Sequence, residues 1–356
     1  MGIMKQKSVT LSDVAREAGV SRATVARVLS ASGYVGEETR QRVEASVRMT
    51  GYRPNVMARG LRTQRSYTIG HITTEFTLNP FFAHVARSVE REALANGYKT
   101  FLYNQDGSDE HERAGVERFI ERRVDAVIFT YPRDPKSVAL LRAADMPVVQ
   151  IERDLTDDTS AVLVDNRAGA EAGMRHLIAL GHRRIAFIGG DPQMFPRSCR
   201  RSRSVEEERL DAYGAVLAEA GVGITPDLIR LGHYHEIEDG WNVAGYRHMK
   251  ALLSLADRPS AVMTGCDILA AGALRAIYEA RLRVPDDISI VGYDDTLAGL
   301  LAPQLTAVAQ PMAELGLTAF QLALAAIENK DAVPKAITLS PTLVVRGSTG
   351  PALTRA

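Results

Sequence analysis

The sequence predicts a small all-α head of helix-turn-helix type, followed by a two-lobed α/β body built on two doubly wound parallel sheets. Three observations lead there. The chain has 356 residues, more than the roughly 250 to 300 at which a single core stops growing. Its charge is divided: residues 1–65 hold 12 Lys and Arg against 5 Asp and Glu, a balance of +7, while the other 291 residues hold 31 against 38 and offset it, so that the whole chain is neutral. From residue 68 onward, short apolar runs alternate with helical patterns, as in parallel sheets covered by helices on both faces.

Composition excludes several classes. With 46% hydrophobic and 24% charged residues the chain is neither disordered nor fibrous. No apolar run reaches the ~18 residues that span a bilayer, and MGIMKQKSVTLSDVAREAG lacks the apolar stretch of a signal peptide, so a cytoplasmic location with no membrane partner is expected. Cys199 and Cys266 are too few for a disulfide framework and are expected as thiols.

The head comes first, over residues 1–53. TLSDVAREAGVSRATVARVLS gives two short helices around a tight turn, with Leu11, Val14, Ala15, Ala18, Val20, Val25 and Val28 at core spacing. Thr10 caps the first helix, Gly19 supplies the turn and Ser21 caps the second, which exposes Arg22 and Arg27. A third helix, about Glu37 to Met49, adds Val43, Ala45 and Val47. A basic three-helix unit of this kind reads as a binder of double-stranded DNA. Arginine forks match guanine acceptors and a small side chain meets a thymine methyl, so Arg22, Ala23 and Arg27 are expected at base edges. Thr10, Ser21 and Thr24 are expected on phosphates.

Residues 54–66 follow as a hinge. Pro54 suits a helix start, Asn55 to Arg62 make about two turns, and Gly60 weakens them. So short a basic helix is marginal until something packs on it, which couples its folding to DNA.

The body, residues 67–356, offers strands at 68–74, 99–105, 124–130, 147–152 and 161–166, then at 184–190, 229–232, 260–265 and 288–294, with amphipathic helices such as 81–96, 109–122, 167–180, 206–220 and 267–281 between them. Two series imply two lobes with a cleft. Ligands of such sheets sit at strand carboxyl ends, where Thr74, Glu75, Asp165, Asn166, Asp191, Asp267 and Asp294 fall. The sequence has no GxxxxGK[ST], GxSxG or HExxH, and Gly189-Gly190 falls short of GxGxxG, so no enzyme activity, cofactor or metal is expected. His233, His235, Glu236 and Asp239 read as a polar loop rather than a zinc site, and Asp294-Asp295 as ligand hydrogen bonding or a turn.

The whole chain resembles the lactose-repressor (LacI/GalR) family of bacterial transcription regulators over roughly residues 8–347. TLSDVAREAGVSRATVARVLS looks like its DNA-reading head and YRPNVMARGLRTQRS like its hinge helix. NPFFAHVARSVEREALANGY, VDNRAGAEAGMRHLIALGHRRIAFIGG, VPDDISIVGYDD and PQLTAVAQPMAELG follow in family order. The resemblance implies a homodimer, a periplasmic-binding-protein-like body and a small effector between lobe 1 (about 67–166 plus 308–340) and lobe 2 (about 167–307 plus the tail). It implies that Leu61 wedges into the minor groove of a near-palindromic operator, with Asn55, Ala58 and Arg59 beside it. In the cleft it points to Phe81, Phe82, Arg209 and Asp294, with Tyr234 or His235 as a wall and Asp165 and Asp267 as further candidates. Their chemistry fits a polyol, since charged groups bond hydroxyls and aromatic faces cover sugar C–H groups.

A purine-like or anionic effector, such as a sugar phosphate or sugar acid, and action as a corepressor are the alternatives. Arg197, Arg200, Arg201 and Arg203 form a solvated loop or, if one points inward, an anion contact. Three departures from the family stand out: Ala26 and Ser30 replace the usual Ser and Asn of the reading helix, Gly36 replaces a Ser cap, and Cys266-Asp267 replaces Asn-Asp. A solute-binding protein is disfavoured by the head and the missing signal peptide, and a sugar-processing enzyme by the missing catalytic constellation.

Overall fold

The computed structural model describes residues 9–29, 33–52, 65–74, 79–239 and 241–353. It divides into two compact units, Met1–Ser66 and Tyr67–Ala356. Asn55, Ala58, Arg59 and Leu61, the expected minor-groove residues, lie outside the described residues, as do Ser30 and Glu75.

In the first unit, α1 (Leu11–Ala18), α2 (Arg22–Leu29) and α3 (Glu37–Thr50) pack around Val14, Val25 and Val43, each fully buried. Asp13 accepts from the Thr10 backbone N–H at 2.9 Å and from its hydroxyl at 2.6 Å, closing the first turn of α1. Gly19 ends that helix at φ 64°, a left-handed conformation in which a Cβ would crowd the following carbonyl. The Ser21 hydroxyl accepts from Thr24 N–H at 3.0 Å and starts α2. Ala45, expected in this core, is only half-buried. Three residues on from Val43, Ser46 takes the inward position instead, its hydroxyl satisfied by the carbonyl of Arg42 at 2.9 Å.

The second unit begins with β1 (Thr68–Thr73), α4 (Pro80–Ala95), β2 (Lys99–Asn104), α5 (Asp109–Glu121), β3 (Ala126–Thr130), α6 (Pro135–Ala143), β4 (Val148–Ile151) and β5 (Ser160–Val164). It continues with α7 (Asn166–Ala179), β6 (Ile185–Gly190), α8 (Val205–Glu219), β7 (Ile229–Gly232), a small hairpin of β8 (Ile237–Glu238) and β9 (Trp241–Asn242), and α9 (Ala244–Leu253). Last come β10 (Ala261–Thr264), α10 (Asp267–Glu279), β11 (Ser289–Asp294), β12 (Thr306–Ala309), α11 (Met312–Glu328), β13 (Ala336–Leu339) and β14 (Thr342–Val344).

Apart from the β8–β9 hairpin, the described strands form two six-stranded sheets, ordered β13-β5-β4-β3-β1-β2 and β14-β12-β11-β10-β6-β7. Within these two sheets the described pairs are all parallel except β14 with β12. Alternation along β3 sends Val127 and Phe129 to the core under α5 and α6, and Ala126 and Ile128 to the core under α4 and α11. Both sheet faces are therefore covered, as the near-continuous apolar runs required. Close packing also explains Gly70, where a Cβ would stand 2.4 Å from the Phe119 ring.

The chain crosses between the lobes after β5, after β12 and between β13 and β14. The second crossing comes later than the expected residue 308, because Thr306–Ala309 pairs with Val291–Asp294 and completes the second sheet. The strands at 306–309, 336–339 and 342–344 were missing from the sequence-derived set; each is only three or four residues long. Among the described residues, no helix is long and apolar enough to cross a membrane.

Candidate functional site

On α2 the side chains of Val25 and Val28 point into the head's core, which turns Arg22, Ala23 and Arg27 outward. The four-residue spacing of Ala23 and Arg27 puts those two on one face, and Arg22 is exposed about 100° around the helix from Ala23. Ser21 and Thr10 are also exposed, and the Thr24 hydroxyl lies 2.9 Å from that of Ser21. Both capping groups lie at helix starts, where free N–H groups and the helix dipole favour phosphate oxygens.

In the body, a cleft with about 590 Å³ of space between its atoms, part of it open to solvent, lies between the lobes. Parallel strands from both sheets end there, as the topology of such sheets requires. The first lobe contributes Asn79, Phe81, Phe82, Tyr131, Glu152 and Arg153; the second contributes Phe195, Glu206, Arg209, Tyr234, Cys266 and Asp294, with Gln310 from the crossover.

Local structure explains how each group is held. Asn79 caps α4 by accepting from Phe81 N–H at 3.0 Å, and its amide donates to Asp294 Oδ2 at 3.3 Å across the cleft. Phe81 and Phe82 meet edge to face with centroids 5.3 Å apart, and Phe82 meets Tyr131 at 6.0 Å in the same way. Both phenylalanines are buried in the first lobe's core and also line the cleft. Arg153 leaves β4 after Glu152, whose φ is 71°, and lies 4.0 Å above the Tyr131 ring. It donates to Glu206 Oε1 at 2.8 Å and to the Pro196 carbonyl at 3.0 Å.

Arg209 projects from the first turns of α8 and stacks 3.8 Å from the Tyr293 ring. Its Nε and Nη2 donate to Asn166 Oδ1 at 3.1 and 2.8 Å, and Nη1 donates to the Gly265 carbonyl at 2.6 Å. Asp294 ends β11 at φ 96° and accepts from the Gln310 amide at 2.7 Å. Burial pushes its carboxyl up to about 7, against the opposing pull of the Arg209 guanidinium. Tyr234 lies 5.5 Å from Phe195, ring centre to ring centre, and burial raises its phenol well above the ordinary value.

Several expected ligands do other work. Asp165 does not line the cleft; it caps α7 by accepting from Ala168 N–H at 3.0 Å, and Asn166 beside it holds Arg209. Asp267 is fully buried and accepts from Thr296 and Leu297 N–H at 2.7 and 3.0 Å, pinning the loop after β11. Burial raises its carboxyl to about 6. Cys266, one residue earlier on the same turn, faces the cleft in its place. Asp191 caps a short 3-10 turn through Gln193 N–H, and Thr74 accepts from Gly107 N–H. His235 lines the cleft and accepts from the Asn242 amide at 2.9 Å, while Glu236 pairs with Arg247 at 3.1 Å.

The arginine loop neither lines this cleft nor stays merely solvated. Arg197 pairs with Glu207, Arg200 with Asp154 at 2.9 Å, Arg201 with Glu208 at 3.1 Å and Arg203 with Asp211. Arg200 also donates to the Thr159 carbonyl at 2.9 Å and Arg201 to that of Val164 at 3.0 Å. A loop of the second lobe is thereby strapped to the first, with fully buried Asp154 accepting from both Ser198 and Arg200.

Sequence reasoning missed Arg153, Glu152, Glu206, Asn79 and Gln310. The strand-end rule applied to β4 would have named Glu152 and Arg153; Gln310 follows a strand absent from the expected set.

Two protein families match the chain: residues 10–55 match "Bacterial regulatory proteins, lacI family", and residues 174–349 match "Periplasmic binding protein-like domain". The ribose operon repressor of Escherichia coli (strain K12) is 34% identical over 343 residues, covering 95% of this chain and 99% of that protein. The HTH-type transcriptional repressor PurR of Mannheimia succiniciproducens is 32% identical over 344 residues, covering 95% and 98%. Among solved structures, the lac repressor dimer bound to operator and the anti-inducer ONPF is similar with TM-score 0.78 and 30% identity, over 97% of this chain and 100% of that one. A transcriptional regulator CelR–cellobiose complex matches with TM-score 0.70 and 29% identity, over 96% and 99%. With a basic helix-turn-helix head, an effector-type cleft and full-length relatives that are transcriptional repressors, the chain belongs to the lacI family of bacterial regulatory proteins.

Proposed function

We propose that this regulator represses transcription by holding a near-palindromic operator as a homodimer, and that a small sugar-derived effector in the cleft changes its grip. Arg22, Ala23 and Arg27 read base edges, while Thr10, Ser21 and Thr24 position the head on phosphates. Asn55, Ala58, Arg59 and Leu61 of the hinge enter the minor groove. The working divisions are a head over 1–53, a hinge over 54–66 and a body from 67, acting in the cytoplasm where the chromosome lies, without catalysis.

The observation that carries the effector reading is the meeting of polar groups from both lobes on either side of one cleft: buried Arg153 with buried Glu206 at 2.8 Å, and half-buried Asn79 with buried Asp294 at 3.3 Å. A ligand there touches both lobes and stabilises one arrangement of them, which is what a differential effect on DNA affinity requires. Phe81, Phe82 and Tyr234 supply apolar walls; Arg209 and Asp294 supply charge-assisted hydrogen bonds for hydroxyls. Relatives named for ribose and a neighbour in complex with cellobiose favour a sugar. The test is a gel shift on the DNA upstream of the chain's own gene, run with and without a panel of sugars. A sugar-dependent change in operator affinity is expected; a chain that binds no specific DNA contradicts the reading.

A further inference from the structure

We infer that the effector is an uncharged polyol, and that its phosphorylated and carboxylated counterparts are excluded by the charge built into the cleft. The inference rests on the sugar reading above and narrows it.

The cleft carries two buried guanidiniums, Arg153 and Arg209, against three carboxylates, Glu152, Glu206 and Asp294. Leaving aside His233 and His235, which also line the cleft, these groups sum when ionised to one negative charge, and a proton on Asp294 brings the sum to zero. An anionic ligand leaving water needs an uncompensated cation or a converging set of free donors. Neither guanidinium is available as an open fork. Arg153 is paired with Glu206 at 2.8 Å and donates to the Pro196 carbonyl at 3.0 Å, which leaves its Nε as a single buried donor without a partner among the described residues and no fork. The Nε–Nη2 edge of Arg209 is spent on Asn166 Oδ1, and its Nη1 on the Gly265 carbonyl.

The arginines of the neighbouring loop give no help, since Arg197, Arg200, Arg201 and Arg203 each face a carboxylate of their own. Two buried acceptors on cleft-lining side chains, Glu206 Oε2 and Gln310 Oε1, have no hydrogen-bond partner among the described residues. An acceptor without a partner calls for an O–H or N–H from the ligand and repels an anionic oxygen. A ring bearing several hydroxyls meets that demand, and each hydroxyl also accepts from the N–H groups that the two arginines have left.

The test is isothermal titration of the full-length protein near pH 7.5 with D-ribose, D-xylose and D-glucose, set against ribose 5-phosphate, glucose 6-phosphate and gluconate, with adenine and hypoxanthine as a separate arm. At least one neutral sugar binds, and the charged derivative of the same skeleton binds roughly 100-fold more weakly, as expected for a charge left without a partner. In Glu206→Gln, Arg153 loses its carboxylate and the discrimination falls by about 10-fold. A phosphate or sugar acid that binds as tightly as its neutral parent overturns the inference while leaving the sugar reading intact. Binding by purine bases alone, or by no sugar in the panel, overturns the sugar reading and the inference with it. The wild-type panel decides between these outcomes even if the variant does not fold.

Discussion

Arg153 and Glu206, one from each lobe, form an ion pair at 2.8 Å in which both side chains are at most 2% exposed. A pair so placed couples the lobes more firmly than any surface bridge, because each partner left alone would be a buried, uncompensated charge. The Tyr131 ring under Arg153 adds a cation–π contact.

Removing one partner should therefore be costly. Glu206→Ala is expected to destabilise the protein by about 3–5 kcal/mol, read as a lower urea midpoint with an unchanged slope. Replacing both residues with apolar ones of similar size should cost less than the single change. Equal midpoints for wild type and Glu206→Ala would remove this pair from the account.

The buried carboxyl of Asp294 sets a pH dependence. It rises from 3.8 to about 7 in the fold through burial, so between those values the folded chain holds a proton that the unfolded chain has released. Stability then falls as pH rises through that window. Asp267, raised to about 6 by burial, acts in the same direction. Asp294→Asn should flatten the decline between pH 4 and pH 7 in urea titrations at several pH values. A slope identical to wild type would show that Asp294 is ionised throughout.

Asp154 and Arg200 test the strap between the lobes. Asp154 is fully buried and accepts from Ser198 and Arg200, although neither Asp154 nor Arg200 lines the cleft. Arg200→Ala should weaken effector binding by roughly 10-fold, because a less populated closed state lowers apparent affinity in proportion. Titration calorimetry gives the ratio; unchanged affinity would mean that the strap plays no part in closure.

The head separates into readers and holders. Arg27→Ala should cost about 1–3 kcal/mol of discrimination between operator and random DNA. Thr10→Ala should weaken both by a similar factor. Competition gel shifts at fixed salt measure both ratios, and an unchanged operator-to-random ratio for Arg27→Ala would dismiss its base-reading role.

Much of this was legible in the sequence because local chemistry and tertiary packing agreed. Thr10 and Ser21 stand at the helix starts and Gly19, lacking a Cβ, makes the turn between them, and the alternating apolar runs produced both sheets. The cleft was half legible. Arg209 and Asp294 line the cleft, but Asp165 and Asp267 do not. A carboxylate beside a helix start is claimed first by the nearest free backbone N–H groups, as at Ala168 for Asp165, or by a neighbouring loop, as at Thr296 and Leu297 for Asp267. The arginine loop was opaque because its partners Asp154, Val164 and Thr159 are some forty residues away in sequence.

The most direct test of the whole account is operator affinity as a function of effector, in wild type and in Arg209→Ala. A gel-shift titration with the chain's own upstream DNA, repeated with a saturating sugar that binds the wild type, should show a change in operator Kd of at least about 10-fold, the scale of an ordinary allosteric coupling. Arg209→Ala should bind the same DNA without ligand as well as the wild type does and show no response to the sugar. An operator Kd that no cleft-binding ligand moves, or a full response in Arg209→Ala, would contradict control of DNA binding from this cleft.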